Sequence, residues 1–155
     1  MTTNPFRRSN GRREPAVPFE PVIDPAGWCP GDITATESWR YVLSDTEIAE
    51  IDAAVAAVEQ RGFDIVDIKC KDFPLPTFSA GIDAMRDELQ DGLGVVQIRG
   101  LPVDRWTKPQ AAAAFWGIGT YLGHALSQNS KGDLLGHIKD LGGDYGDPMT
   151  RGYLD

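Results

Sequence analysis

The sequence lacks several features that would assign it to a protein class at once. No stretch approaches the roughly 20 consecutive apolar residues that a membrane-spanning helix needs. Only two cysteines are present, Cys29 and Cys70, without a CxxC or Cys/His pattern, so neither a disulfide framework nor a zinc module is indicated. No N-terminal apolar segment of the secretory-signal type is found either, and the cytoplasm is therefore the expected compartment.

Basic residues are in the minority, which bears on the partners of the protein. The chain has 15 basic and 23 acidic residues and a net charge of −8, so its field repels nucleic acids and anionic membranes. The first 16 residues, however, contain four arginines and only one glutamate. Such a start is typical of mitochondrial transit peptides, but Pro5 and Gly11 interrupt the amphipathic helix they require. We favour a disordered tail, and mitochondria are kept as the alternative location.

Hydrophobic residues make up 41% of the 155 positions, which fits a globular domain better than a disordered chain. The prolines divide this chain into two parts. Six of the 11 prolines fall within residues 1–35 and predict an extended leader there, followed by a folded part over 36–155. The large apolar residues near the end of the leader are expected to lie along the folded part, because exposing them is unfavourable. They are Phe19, Val22, Ile23, Trp28 and Trp39.

Capping residues and apolar spacing predict three helices. The first begins at Ser44, which forms a capping box with Glu47, and ends at Gly62. The second spans about residues 79–90. The third begins at Thr107. Its expected buried side consists of Ala111, Ala114, Phe115, Ile118, Tyr121 and Leu122.

Short strands are predicted between and after these helices. Residues 63–68 form one, and residues 94–99, rich in β-branched side chains, form a buried one. An extended connector with two prolines covers residues 72–76. Residues 134–138 are interpreted as a further strand that pairs with 126–130, and the chain beyond it as loop. Together the elements predict an α+β fold whose last strands have no partner.

His124 and His137 are the two histidines of the sequence and therefore its imidazole candidates for a metal site. A compact iron site places His-x-Asp or His-x-Glu on one strand, because alternate residues share a face. His124 is followed by Ala-Leu and His137 by Ile-Lys, so neither fits this pattern. A structural role is favoured for both, and no metal ligand is assigned.

Glycines at 117, 119 and 123 form an imperfect nucleotide-binding pattern. The third glycine stands one place late, and the pattern ends an aromatic helix instead of joining a strand to a helix. Close helix packing explains these glycines better. The GxSxG, Walker A and HExxH motifs are absent from the sequence.

A polar cluster, Ser127-Gln128-Asn129-Ser130, follows the third helix. Loops next to rigid elements often present groups that contact ligands. Asn and Ser are equally typical of turns, where they form local hydrogen bonds. Both interpretations stay open from the residues alone.

Four segments in order resemble the N-terminal half of TauD/TfdA-type oxygenases, the family of taurine dioxygenase-like enzymes. They are F-P-L-P-T at 73–77, G-L-G-V-V-Q-I-R-G-L-P-V at 92–103, S-Q-N-S-K-G-D-L-L-G-H-I-K-D at 127–140 and D-P-M-T-R-G-Y at 147–153. The resemblance covers roughly residues 40–155. It implies a double-stranded β-helix, or jelly-roll, core of about eight strands.

The resemblance also implies a chemistry based on Fe(II) and 2-oxoglutarate. In the family, a His-x-Asp motif and a distant His hold the iron, and a later Arg anchors 2-oxoglutarate. None of these residues can be assigned in this sequence, so no catalytic residue and no bound cofactor are expected for this chain alone. Gln128 and Asn129, with Tyr153 as a weaker third, are the candidates for contacts to substrate or cosubstrate.

The expected function is that of the N-terminal part of a dioxygenase that hydroxylates a small organic acid or amine. The alternative is a non-catalytic remnant that acts as a binding or interaction module. The expected partner is a small-molecule substrate, with neither nucleic acid nor membrane, and the sequence allows a homo-oligomer.

Overall fold

The computed structural model describes residues 17–21, 24–127, 129, 131–136 and 142. Within these residues, the chain forms four α-helices and two strands. In order they are α1 (Pro30–Thr34), β1 (Arg40–Val42), α2 (Asp45–Arg61), α3 (Phe78–Asp91), β2 (Gln97–Arg99) and α4 (Lys108–Leu122). Single-turn 3-10 helices occupy Ile65–Asp67, Cys70–Asp72 and Val103–Arg105.

Helix α2 has the ends that the sequence predicted. The Ser44 side chain accepts a hydrogen bond from the backbone N–H of Glu47, and the Glu47 carboxylate accepts one from Ser44 in return. Gly62 ends the helix in the left-handed conformation, with a φ of 66° that favours glycine. Glu47 is also buried and accepts a hydrogen bond from the Tyr41 hydroxyl. The capping box therefore also attaches β1 to the start of α2.

Helix α3 extends the predicted helix at 79–90 by one residue at each end. Its N-cap residue, Thr77, makes no side-chain capping hydrogen bond. The Glu50 carboxylate of α2 accepts hydrogen bonds from the backbone N–H groups of Thr77 and Phe78 instead. A side chain from a neighbouring helix thus satisfies the free donors at the start of α3.

The predicted strand at 63–68 is wrong, because this segment forms a 3-10 turn at Ile65–Asp67. The segment binds to α4 instead of a strand: the indole N–H of Trp116 donates to the carbonyl oxygen of Ile68 at 3.1 Å. The connector predicted over residues 72–76 is shorter in the structure, because Asp72 ends a 3-10 turn and Pro76 lies in a turn, while residues 73–75 lie outside any helix or strand. Phe73 and Leu75 are fully buried, whereas Pro74 and Pro76 are exposed.

The sheet consists of β1 and β2, which pair in parallel with Tyr41 opposite Ile98. The sequence did not predict β1, and the predicted buried strand at 94–99 shrinks to Gln97–Arg99. It is also only half-buried, since the side chains of Gln97 and Arg99 are exposed and that of Ile98 is partly buried. The Tyr41 ring packs against Phe78 of α3, with 5.7 Å between the ring centroids, so the inner face of the sheet lies on the helices.

Helices α2, α3 and α4 enclose the core together with the 3-10 turns and the connector. Helix α4 begins after Thr107 as predicted, and Thr107 forms a capping box with Gln110. Ala114 and Ile118 are buried as predicted, but Phe115 is 71% exposed and Leu122 is 37% exposed, which corrects the assignment of both to the buried side. The buried hydrophobic residues are Leu43, Ile51, Ala54, Val55, Val58, Ile68, Phe73, Leu75, Phe78, Ile82, Ala84, Met85, Ala113, Ala114 and Ile118.

The leader departs in part from the expectation of an extended segment. Residues 30–34 form the short helix α1, because Pro30 stands in the first turn, where its missing N–H is not needed. Trp28 contacts the folded part as expected, by donating from its indole N–H to the carbonyl oxygen of Leu93 at 2.9 Å. Phe19, in contrast, is fully exposed. The division of the chain at residue 35 stays a prediction.

The described part is a mixed fold of helices with a small parallel sheet, which is consistent with a partial α+β domain. Of the two strands predicted near the end of the chain, residues 126, 127, 129 and 134–136 are described, and none of them is in a strand. The remainder of both segments, and the predicted loop after 141 apart from residue 142, lie outside the described residues. In the portions that are described, no helix is long and apolar enough to cross a membrane.

Candidate functional site: a cleft at the end of helix α4

A cleft of about 350 Å³ lies at the C-terminal end of α4. This volume is at the lower end of the range usual for small-molecule sites. Its walls are mostly apolar and aromatic. The residues that line it are Phe115, Trp116, Gly119, Thr120, Leu122, Gly123, His124, Ala125 and Leu134.

The packing of α4 on the connector orients this helix. Gly117 faces the ring of Phe73 so closely that a Cβ atom there would lie 2.5 Å from the ring. At Gly117 this contact agrees with the close packing predicted for the glycine pattern, and it turns Phe115 away from the core, whereas the same prediction is wrong for Gly119 and Gly123. A Cβ at Gly119 or Gly123 would meet nothing within 4 Å. The missing side chains at these two positions therefore leave open space in the cleft.

Tyr121 fixes the other side of α4 to the same connector. Its hydroxyl donates to the carbonyl oxygen of Phe73 at 2.8 Å and accepts from the N–H of Leu75 at 3.1 Å. Burial, together with a hydrogen bond involving Cys70, raises the pKa of the Tyr121 hydroxyl. The hydroxyl therefore stays protonated at neutral pH and keeps donating to Phe73.

The loop after α4 is held by Asn129, one of the predicted contact residues. Its side-chain N–H donates to the Asp133 carboxylate at 2.9 Å, and its side-chain oxygen accepts from the Asp133 N–H at 3.0 Å. The Ser127 hydroxyl donates to the Asn129 carbonyl oxygen. The side-chain amide of Asn129 is thus used in the hydrogen bonds of this turn. Leu134, which follows the turn, lines the cleft.

The other predicted contact residues, Gln128 and Tyr153, lie outside the described residues. The structure therefore does not bring the three candidates together, and their role in contacting substrate or cosubstrate stays a prediction. Asn129 is not among the residues that line the cleft, but Leu134, five residues after it in the chain, is.

The histidines differ in what the structure describes. His124 is exposed and lines the cleft, whereas His137 lies outside the described residues. Across the described ranges, no group of three or more His, Cys, Asp or Glu side chains is placed to hold a metal ion. These residues therefore do not fit an iron centre, and we derive no reaction step through iron.

The sequence reasoning missed the cleft itself. One signal was available: α4 carries Phe115, Trp116 and Leu122 in addition to its buried Ala114 and Ile118, so its apolar residues extend beyond one face. Such a helix is expected to contact other parts of the protein, or a ligand, on each of its apolar sides.

The chain is similar in sequence to two known proteins. No protein-family model matches it. It is 28% identical over 135 residues to FR-33289 synthase of Streptomyces rubellomurinus, an alignment that covers 86% of this chain and 40% of the relative. It is 25% identical over 118 residues to the taurine hydroxylase-like protein SAT17 of Stachybotrys chartarum, with 76% and 31% covered.

The two similarities relate the chain, at low identity, to TauD-like oxygenases, an oxidoreductase class, in agreement with the ordered motifs. The chain spans well under half the length of either of these relatives.

Proposed function

We propose that this chain is the N-terminal portion of a non-haem, Fe(II)- and 2-oxoglutarate-dependent dioxygenase with a jelly-roll core. The complete enzyme hydroxylates a small organic acid or amine in the cytoplasm. The observation that carries the proposal is the similarity to FR-33289 synthase, which extends over 86% of the chain. The similarity to the taurine hydroxylase-like protein supports it independently.

The described residues supply structural support and one pocket wall in this proposal. The cleft at the end of α4 presents Phe115, Trp116 and Leu134 to a substrate, and the chain fixes that surface through the contacts of Gly117 and Tyr121. In the complete enzyme, bound Fe(II) and 2-oxoglutarate would supply the activation of O2. Because the described residues do not provide a ligand set for iron, the ligands come from other parts of the protein.

The first experiment is to read the coding sequence beyond codon 155. A frame that continues with a His-x-Asp motif within about a dozen codons supports the proposal. The product of that longer frame is expected to form succinate from 2-oxoglutarate when Fe(II), O2 and substrate are supplied. A stop codon at that point favours the alternative, a non-catalytic remnant that acts as a binding module.

The second experiment uses residues 1–155 alone. We expect no turnover of 2-oxoglutarate and no stoichiometric binding of Fe(II), which can be measured by succinate detection and by titration. Iron-dependent succinate formation by this chain would contradict the proposed division of the enzyme.

The proposed contact role of Asn129 needs a control for its role in the loop. Asn129→Ala and Asp133→Ala both break the hydrogen bonds between these two residues. If Asn129 also contacts substrate or cosubstrate, Asn129→Ala raises the KM of the complete enzyme about tenfold more than Asp133→Ala, the loss of one good hydrogen bond. Equal KM values for the two variants would limit Asn129 to the turn.

A further inference from the structure

Arg86 of α3 connects two helices next to the cleft. One terminal nitrogen of its guanidinium group donates to the backbone carbonyl oxygen of Tyr121 near the end of α4, at 3.2 Å. The other terminal nitrogen donates to the Asp83 carboxylate, one turn earlier in α3. Because the guanidinium group is planar, the two contacts together fix its orientation. Arg86 therefore reaches α4 from a defined position on α3.

Helix α3 is a firm support for this contact. Ile82, Ala84 and Met85, which precede Arg86, are buried in the core. The Arg86 side chain itself is 39% exposed, so it lies at the edge of the contact between α3 and α4. The core thus holds the helix from which Arg86 extends, while the guanidinium group lies at the surface.

The Tyr121 carbonyl lies where a helix needs partners from outside. The last four C=O groups of an α-helix have no acceptor role within the helix, and this end carries a partial negative charge. Helix α4 ends at Leu122, and its last turn contains no basic residue of its own. Arg86 supplies the missing cation from α3. Since the Tyr121 hydroxyl donates to the connector at Phe73, this one residue is held from two sides.

The wall of the cleft continues directly from Tyr121. Leu122, Gly123, His124 and Ala125 follow it in the chain, and all four line the cleft. Residues 123–127 lie outside any helix or strand. The Gly123 N–H donates to the carbonyl oxygen of Gly119 at 3.2 Å, which is the last turn of α4. The position of this wall therefore depends on the position of the end of α4.

We propose that Arg86 is a positioning residue for the cleft: through the Tyr121 carbonyl it holds the last turn of α4, and with it residues 122–125, in place as a wall for the carbon skeleton of the substrate. This inference rests on the proposed function, because the cleft receives a substrate only in that proposal. Arg86 acts through Tyr121 and makes no contact with the substrate itself.

Amide hydrogen exchange of residues 1–155 tests the hold on the helix end. Arg86→Met keeps a side chain of similar length and removes the guanidinium group. We expect the Gly123 amide to exchange about tenfold faster in this variant, as opening of the last turn no longer breaks a charge-assisted hydrogen bond. An unchanged rate at Gly123 would overturn the proposal.

Two variants are matched controls for the exchange measurement. Arg105→Met also removes a guanidinium group, one that pairs with Asp52 of α2. Asp83→Asn removes the charge of the Arg86 ion pair but keeps an acceptor oxygen and leaves the contact with Tyr121. Both should change the exchange of the Gly123 amide by less than about twofold. A change with Arg105→Met as large as that with Arg86→Met would assign the effect to general stability and overturn the proposal.

Binding of Nile red, a neutral apolar dye, tests the cleft wall in the same chain. Because the dye is uncharged, the loss of a positive charge does not by itself alter its attraction to the protein. If the wall is in place only about one third of the time in Arg86→Met, the dye binds about threefold more weakly. Phe115→Ala identifies the binding that depends on the cleft, and Arg86→Lys, which keeps the charge but not the planar pair of donors, should lie between Arg86→Met and the wild type. Equal cleft-dependent affinity of the wild type and Arg86→Met would contradict the proposal.

The outcomes distinguish this inference from the proposed function. If Arg86→Met changes neither exchange nor dye binding, while the product of the longer reading frame forms succinate from 2-oxoglutarate, the inference alone is overturned. If both change and the longer product forms no succinate, the proposed function alone is overturned. In an active longer product, Arg86→Met should raise the KM for the acid or amine supplied about threefold and leave kcat within about twofold of the wild type. A lower kcat at unchanged KM would place Arg86 in the reaction itself and overturn its positioning role.

Discussion

Glu50 of α2 caps the N-terminus of α3 by accepting the backbone N–H of Thr77, at 2.9 and 3.0 Å from its two carboxylate oxygens. It also accepts the N–H of Phe78 at 3.1 Å. Burial by itself raises the pKa of Glu50, but hydrogen bonds from the Thr77 side chain and from the backbone of Phe78 and Thr77 outweigh this effect and lower the pKa below its ordinary value of 4.5.

The first prediction concerns the pH dependence of stability through Glu50. Because the pKa is lower in the folded state, the ionised carboxylate stabilises the fold above pH 4.5, and this contribution is lost as the pH falls through the folded-state pKa. Glu50→Gln is expected to lower the free energy of unfolding by about 1 kcal/mol at pH 7, the typical contribution of a helix cap. Urea denaturation at pH 7 and at successively lower pH measures the difference, which should shrink as Glu50 becomes protonated in the folded state.

The matched control for Glu50 is Asp87→Asn. Asp87 is an exposed acid of α3, and the described structure gives it no partner, so its neutralisation should change the free energy of unfolding by less than about 0.5 kcal/mol. If both variants lose the same stability, net charge and not the helix cap determines the effect.

The elements that the sequence predicted well are those whose ends depend on nearby residues. Ser44, Glu47 and Gly62 lie within or next to α2, and a local pattern was sufficient to place both ends of that helix. The cap of α3 could not be predicted, because Glu50 lies 27 residues before Thr77 and only the packing of two helices brings them together.

The wrong strand at 63–68 has the same physical origin. Its apolar residues matched a strand, but the carbonyl oxygen of Ile68 is bonded by Trp116, 48 residues later in the chain. The cleft also depends on such distant contacts: the packing of Gly117 on Phe73 decides that Phe115 points outward. The single sequence identified the polar loop beside the cleft but not the aromatic wall of the cleft.

The second prediction compares two glycines of α4. Ala is a better helix former than Gly by about 1 kcal/mol, so propensity favours both Gly117→Ala and Gly119→Ala. A Cβ at position 117, however, would lie 2.5 Å from the buried ring of Phe73, and one at position 119 meets nothing within 4 Å. We expect Gly117→Ala to destabilise the protein by about 1–3 kcal/mol, and Gly119→Ala to stabilise it slightly.

Thermal unfolding should show shifts of Tm with opposite signs for the two variants. Since the two substitutions are chemically identical and two residues apart, each is the control for the other. Equal shifts of Tm would mean that α4 does not pack on Phe73 in the way described.

The third prediction concerns the hydroxyl of Tyr121. Tyr121→Phe leaves the Phe73 carbonyl and the Leu75 N–H without their partner, in a connector whose side chains at both positions are fully buried. An unsatisfied buried group costs about 1–3 kcal/mol, and we expect a loss of about 2 kcal/mol in urea denaturation.

Thr120→Val is the control for Tyr121→Phe, because it also removes one hydroxyl from α4. Within the described part of the chain, the Thr120 hydroxyl donates to the Gly117 carbonyl oxygen of its own helix, so its removal should cost less than about 0.5 kcal/mol. A loss for Tyr121→Phe no larger than this would contradict its role in joining α4 to the connector.

The fourth prediction separates the two sides of α4. Phe115 is 71% exposed on the cleft, whereas Ile118 is 6% exposed in the core. Phe115→Ala should therefore change the free energy of unfolding by less than about 0.5 kcal/mol, while Ile118→Ala should lower it by about 2–4 kcal/mol through the cavity that it creates. Phe115→Ala should also reduce binding of a fluorescent apolar dye to residues 1–155, because the aromatic wall of the cleft is lost. If Phe115→Ala destabilises the protein as much as Ile118→Ala, Phe115 is buried in solution and the cleft is not available to a substrate in this chain.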